Sequence, residues 1–263
     1  MNDYISAILL GLVQGFTEFL PISSTGHLII ASHLMGLADE RMKLFEVVIQ
    51  FGSILAVVVL YWPRFWGLLF PQAGTQFSGI RGLYLLFLTT LPASLLGLVA
   101  HDFITTYLFS VQSVAFSLIA GALFILFVEK RNAVPKYTTV DQVTPMLALG
   151  IGCFQCLSLW SGFSRSASTI MGAMFLGARR ELAAEYSFMA AVPIMVAATG
   201  YSLLKSFSTL QASDIPFFAV GTVVSFLAAL VAIKVLIRLV SHISFLPFAW
   251  YRLALAAAIL LFI

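Results

Sequence analysis

Six stretches of this chain run for about the 20 mostly apolar residues that a helix needs to cross a bilayer: 44–62, 81–100, 111–129, 185–204, 216–237 and 245–263. In lipid, only helices and closed barrels satisfy every backbone polar group. A barrel would show short segments of alternating polarity. None appears, so the chain is expected to be an all-α polytopic membrane protein. Its composition agrees: 61% of the 263 residues are hydrophobic and 10% are charged, where a soluble domain is nearer a quarter charged. A net charge of +3 is too small to suggest nucleic acid. Cys153 and Cys156 form a C-x-x-C with no βαβ pattern and no second ligand pair, so they read as small packing residues. The N-terminus carries Asp3 and no basic segment, so the first apolar run is expected to stay in the mature protein.

Two further apolar runs are long but broken by polar clusters. The first, 4–35, is interrupted at "PISSTGH", and the second, 143–178, at "SGFSRSAST". Each half is too short to span, so each run reads as a re-entrant helix–loop–helix. Such backbone survives at membrane depth only where protein or a water-filled cavity surrounds it. The order is a hairpin and three spans, twice over. "GLVQ" (Gly11 to Gln14) resembles "GCFQ" (Gly152 to Gln155), and each glutamine precedes a serine by nine positions, Gln14 to Ser23 and Gln155 to Ser164. Three spans is an odd number, so the second copy must be inverted. The expected architecture is one membrane domain, 1–263, of six transmembrane helices plus two re-entrant hairpins. Its inverted-topology repeats cover approximately 1–129 and 143–263. Paired broken helices in such repeats place a binding site where the breaks meet.

The basic residues orient the chain. The side that receives the first hairpin's ends gets Arg41, Lys43 and Lys205. The other gets Arg64, Arg81, Lys130, Arg131, Lys136, Arg179, Arg180, Lys234 and Arg238. The second side is therefore expected to be cytoplasmic, with the long polar loops 63–80 and 130–142 on it. The first hairpin enters from outside.

The chemistry gathers at the breaks. In the second, Ser164, Ser166, Ser168 and Thr169 can cap the following helix, whose free N–H groups and dipole favour an anion. Arg165 adds a planar fork suited to phosphate oxygens. In the first, Ser23, Ser24 and Thr25 offer the same cap. Gln14 and Glu18 lie one turn apart on a shared face. A carboxylate at membrane depth is costly and marks function; beside a phosphate it acts through a divalent cation or a proton transfer, or else pairs structurally with Arg165. His27 could serve as general acid, base or nucleophile. Glu46 and Glu185 read as carboxylates opening their spans. Arg252, deep in the last span, is expected to face the interior and pair with a carboxylate or a phosphate. Without a P-loop, an aspartate-rich motif or a nucleotide domain, a lipid-linked phosphate suits the site best.

"QGFTEFLPISSTGHL" (Gln14 to Leu28) and "SGFSRSAST" (Ser161 to Thr169) resemble the two signatures of the bacterial undecaprenyl-diphosphate phosphatase family, of the bacitracin-resistance type. "FEVVIQFGSILAVV" (Phe45 to Val58), "GCFQCLSLW" and "FLPFAWYR" (Phe245 to Arg252) resemble it too, so the likeness covers essentially the whole chain. The resemblance implies hydrolysis of undecaprenyl diphosphate to undecaprenyl phosphate and inorganic phosphate, which recycles the carrier for cell-wall synthesis. It implies a divalent cation, Mg²⁺ or Ca²⁺, and a place in the bacterial cytoplasmic (inner) membrane with the active site facing the periplasmic side. The implied partners are undecaprenyl diphosphate and related prenyl diphosphates, membrane lipids and, in a homodimer, a second copy of the chain.

Carried over by position, the acidic motif is Gln14 and Glu18, so carboxylate chemistry falls on Glu18. The Ser-Ser-Thr-Gly-His run is Ser23 to His27. The second signature matches at Gly162, Ser164, Arg165, Ser166 and Thr169, and departs at Ser161, where proline is usual. Asp141 also matches a family position, but its cytoplasmic place favours structure over catalysis. The resulting site has Glu18, Ser24, His27 and Arg165 as catalytic residues. Ser23, Thr25, Ser164, Arg165, Ser166 and Thr169 bind phosphate, and Glu18 and Gln14 hold the metal. The nucleophile is Ser24, His27 or a metal-activated water, with Ser24 slightly favoured and His27 or Glu18 as its base. A secondary transporter or flippase of a phosphorylated lipid is the alternative, because broken helices in inverted repeats also serve transport.

Overall fold

The computed structural model describes residues 3–37, 40–71, 74–108, 110–131, 134–205 and 212–262. Parts of the two long polar loops, at 72–73 and 132–133, and the connection 206–211 lie outside the described residues. The described chain is helical, in the order α1 (Asp3–Thr17), α2 (Ser24–Leu34), α3 (Glu40–Leu60), α4 (Trp62–Leu69), α5 (Gly79–Val99), α6 (His101–Tyr107), α7 (Val111–Lys130), α8 (Pro145–Gln155), α9 (Arg165–Phe175), α10 (Arg180–Lys205), α11 (Ile215–Val240) and α12 (Leu246–Phe262). Four of these, α5, α7, α10 and α11, are long and apolar enough to cross a membrane alone. The chain is thus a polytopic helical membrane protein.

Both interrupted runs are helix–break–helix units, α1/α2 and α8/α9, as the polar clusters indicate. The expected polar loop at 63–80 is different. Tyr61 ends α3, and α4 turns away at 81°. Trp62, Trp66 and Leu69 of α4 and Phe70 just after it are exposed, with Trp66 and Phe70 rings 4.4 Å apart. Aromatic rings on a short amphipathic helix suit the headgroup level of a bilayer.

Small residues set the packing, because lipid gives helices no hydrophobic reason to associate. α1 lies along α11, and α8 lies along α5. A Cβ on Gly11 of α1 would stand 2.7 Å from the Gly221 carbonyl of α11, and one on Gly152 of α8 would stand 2.6 Å from the Thr89 carbonyl of α5. The glycines that mark each hairpin's first arm are therefore where two backbones touch. α3 packs on α10, and α7 on α12.

Polar contacts fix the ends. Asp141 accepts from the Phe77 amide at 2.7 Å and from Arg64 at 3.2 Å. Burial opposes its charge, but these donors outweigh it and hold the carboxyl below the usual range. Asp141 thus ties loops together, as its position suggested. Glu46 and Glu185 lie within α3 and α10 and not at their starts; Glu46 accepts from Ser32 of α2.

Candidate active site

Both breaks end in a residue that L-amino acids rarely become. Ser23 has φ 71° and Ser164 has φ 77°, the two non-glycine residues of positive φ among those described. Such backbone costs of order 1–3 kcal/mol and persists only where the surroundings hold it. Here a cap holds it. Ser23 Oγ accepts from the Gly26 amide and Ser164 Oγ from the Ala167 amide, each at 3.2 Å. Each serine therefore turns the chain sharply and starts a helix at once, α2 or α9.

The two breaks are joined. Ser164 Oγ and Ser166 Oγ lie 2.9 Å apart, and Ser166 donates to the Leu20 carbonyl of the first break at 2.9 Å. Arg252 makes the second join. It is fully buried and donates to the carbonyls of Pro21 (3.1 Å), Gly162 (3.2 Å), Leu118 (3.1 Å) and Ser117 (3.3 Å). The expected carboxylate or phosphate partner is thus replaced by four backbone oxygens. Two of these, the Pro21 and Gly162 carbonyls, lie in the breaks outside any helix, while Ser117 and Leu118 lie within α7; breaks at membrane depth leave carbonyls without helical partners, and a guanidinium has donors enough to reach several oxygens at once. Gly162, at φ +95°, brings its carbonyl into that reach.

At the join lies a line of polar side chains. Glu18 Oε2 accepts from Ser24 Oγ at 2.8 Å and from Gln14 Nε2 at 2.9 Å. Glu18 Oε1 pairs with Arg165 Nη2 at 3.1 Å, with the carboxylate and guanidinium side chains 7% and 12% exposed. Arg165 Nη1 donates to the Ser187 carbonyl (3.2 Å) and more weakly to its hydroxyl (3.4 Å). The guanidinium carbon lies 5.6 Å from the centre of the Phe19 ring. A buried pair of this kind is expensive to break, by about 3–5 kcal/mol when one partner is removed. A bound phosphate offers Arg165 replacement oxygens.

The structure therefore brings together Gln14, Glu18, Ser24 and Arg165. It places the others differently. Ser23, Ser164 and Ser166 use their hydroxyls on caps and on the join. Thr169 is fully buried and bonds the Arg165 carbonyl (2.8 Å) and Ser187 Oγ (2.6 Å), so it steadies the helix start from behind. Thr25 is half-buried, with no hydrogen bond from its hydroxyl to a described residue. His27 points to other partners. Nδ1 meets the Ser23 carbonyl at 2.6 Å and Nε2 meets the Tyr251 hydroxyl at 2.7 Å. A carbonyl can only accept, so Nδ1 carries the proton. The rings of His27 and Tyr251 are stacked, 5.6 Å apart. Sequence reading missed Ser187 and Tyr251. Ser187 has no local signal inside an apolar helix, while Tyr251 adjoins Arg252 in the "FAWYR" segment.

The donor set can be tested against a divalent cation. Among the described residues no three of His, Cys, Asp or Glu gather. Beside Glu18, Gln14 turns its Nε2 to the carboxylate and leaves its Oε1 buried without a partner. One carboxylate and one orphaned amide oxygen suit Mg²⁺ or Ca²⁺ completed by phosphate oxygens, and do not make a cage formed in advance.

The sequence profile described as bacitracin resistance protein BacA matches residues 7–258. The chain belongs to the BacA family. Its members include proteins named undecaprenyl-diphosphatase. That of Maridesulfovibrio salexigens is 63% identical over 262 residues, covering 100% of this chain and 99% of the relative. That of Nitratidesulfovibrio vulgaris strain DP4 is 62% identical with the same coverage. That of Lawsonia intracellularis is 55% identical over 251 residues, 95% of this chain and 94% of the relative. The BacA family match spans both hairpins and every helix of the join, so the whole site falls within it.

Proposed function

We propose that this chain is an integral membrane phosphatase that hydrolyses undecaprenyl diphosphate to undecaprenyl phosphate and inorganic phosphate. The observation that carries the reading is the unbroken line Ser24–Glu18–Arg165 across the meeting of two helix breaks. A hydroxyl, a base and an anion-holding fork are the parts that phosphoryl transfer needs. Names of relatives at 55–63% identity agree with it.

In this reading Arg165 binds the diphosphate, with the α9 N-terminus and the Thr25 hydroxyl beside it. Ser24 Oγ attacks the terminal phosphorus while Glu18 takes its proton. The bond to the bridging oxygen breaks, and undecaprenyl phosphate leaves with that proton. Water then cleaves the phosphoserine, Glu18 again handling the proton, and inorganic phosphate departs. Glu18 and Gln14 Oε1 would hold Mg²⁺ or Ca²⁺, which offsets charge on the transferred phosphoryl oxygens. His27, fixed by the Ser23 carbonyl and Tyr251, orients the first break and takes no proton from Ser24.

We also propose that the halves 1–129 and 143–263 are inverted repeats, with α3 and α12 completing six spans beside the two hairpins. Two equivalences support this: α1 on α11 matches α8 on α5, and Ser23 matches Ser164 in backbone and cap. The arginine-rich ends then face the cytoplasm across the inner membrane, and the first hairpin opens outward. In a Cys153→Ser, Cys156→Ser background, a cysteine at Thr138 should resist a membrane-impermeant thiol reagent in intact cells. One at Tyr107 should react. The reverse pattern would overturn the orientation.

The deciding experiment is phosphate release from undecaprenyl diphosphate by purified protein in detergent, with and without divalent cation. Release that depends on the cation and on Ser24 is expected. Lipid movement across vesicles without phosphate release would favour a transporter. Full turnover in Ser24→Ala would make water the nucleophile.

A further inference from the structure

Where α10 begins and α11 ends, two hollows flank the bundle and share Glu181 and Ser241 as a common wall. One, of about 280 Å³, holds Arg131, Arg179 and Arg180. These are already partnered. Arg180 is paired with Glu129 and Arg179 with Glu181, while Arg131 lies 4.2 Å above the Phe175 ring. The other is a groove of about 590 Å³ between the end of α3 and the last turns of α11. Its wall is apolar at Leu60, Ile233 and Ile237, and its rim carries Lys234, Arg238 and Tyr61.

The rim differs from the neighbouring hollow. Lys234 and Arg238 are exposed, and neither side chain has a hydrogen bond or ion pair with a described residue. They are four apart on one helix and so share a face. The Tyr61 hydroxyl likewise has no hydrogen-bond partner among the described residues. Glu181, the acid of this groove, is held by Arg179 at 2.9 Å. A cation that merely stretches to the headgroup level needs no groove beneath it. Here two uncompensated cations stand over a concave apolar wall that belongs to a membrane helix pair. That combination matches a molecule with a phosphate at one end and a hydrocarbon chain at the other. A zwitterionic headgroup would bring its own ammonium towards both cations.

We propose that the groove between α3 and α11 binds an anionic phospholipid, its phosphate between Lys234 and Arg238 and its acyl chain along Leu60, Ile233 and Ile237. The site is separate from the helix breaks and does not depend on the phosphatase reading. Its occupant comes from the leaflet at the arginine-rich end, where basic pockets between membrane helices recognise such headgroups.

The test uses the full chain, purified in nonionic detergent and titrated with phosphatidylglycerol or phosphatidylcholine, with bound lipid read by native mass spectrometry. Phosphatidylglycerol should stay bound where phosphatidylcholine is stripped. Lys234→Ala with Arg238→Ala should weaken phosphatidylglycerol binding by roughly 30-fold, from the loss of two surface cations. Both positions are exposed, so folding is expected to survive, and Lys234→Arg with Arg238→Lys should keep the binding. Arg131→Ala, in the neighbouring hollow, should leave it unchanged. Equal retention of both lipids by the unaltered chain, or unchanged binding in the double alanine variant, would overturn the proposal. So would loss of binding in Arg131→Ala alone, which would put the lipid in the other hollow.

Discussion

The two helix breaks share a backbone and divide the chemistry. Each ends in a serine of positive φ that caps the amide three residues on. The residue after that serine is Ser24 in the first break and Arg165 in the second. Six residues before those positions stand Glu18 and Leu159. One break therefore presents a hydroxyl and a carboxylate, and the other a permanent cation on an apolar support. Geometry that is merely doubled could only bind. In the proposed mechanism the opposite charges, at non-equivalent positions of the two breaks, set a proton acceptor on one side of the phosphate and an anion holder on the other.

The largest expected effects come from removing that division. Glu18→Gln keeps size but loses the base, and turnover should fall by about 10²–10⁴-fold, with excess Mg²⁺ or Ca²⁺ restoring little. Full activity would mean that the first break is structural. Arg165→Ala should cost about 10²–10³-fold. Arg165→Lys should recover only part, because an ammonium lacks the planar fork; full recovery would reduce Arg165 to a point charge.

Arg252→Leu attacks the join and not the chemistry. It strands the Pro21 and Gly162 carbonyls of the breaks, while those of Ser117 and Leu118 keep their place in α7, and each unsatisfied buried group costs about 1–3 kcal/mol. A markedly lower Tm in detergent is expected, with turnover lost alongside it. A wild-type Tm would show that the breaks hold together without the clamp.

Ser187→Ala is a finer probe. Arg165 keeps the Ser187 carbonyl but loses its hydroxyl, as does Thr169, and a net hydrogen bond is worth about 1 kcal/mol. A several-fold rise in KM is expected, with kcat nearly kept, if Arg165 holds the ground-state phosphate. The smallest effect should come from Gln14→Glu, which places a second carboxylate on the face of Glu18. Near-wild-type turnover is expected at saturating divalent cation. A collapse there would show that the Gln14 amide proton on Glu18 is needed.

The long helices, the two breaks and the cluster of Gln14, Glu18, Ser24 and Arg165 were legible in the sequence, because each carries a local physical signature. A bilayer-length apolar run forces a helix. A carboxylate and a serine cluster inside such a run have no cheap explanation, which is why Glu18, Ser24 and Arg165 stood out together. What only the tertiary structure decided are the partnerships between segments distant in sequence. Arg252 met carbonyls from both breaks instead of an acid, because a broken helix leaves acceptors that no local residue reaches. His27 turned to Tyr251, over two hundred residues on, and Thr169 turned inward to Ser187. A side chain's type sets which bonds it can make; the packing of α7, α10 and α12 around the breaks chose which of those bonds were made.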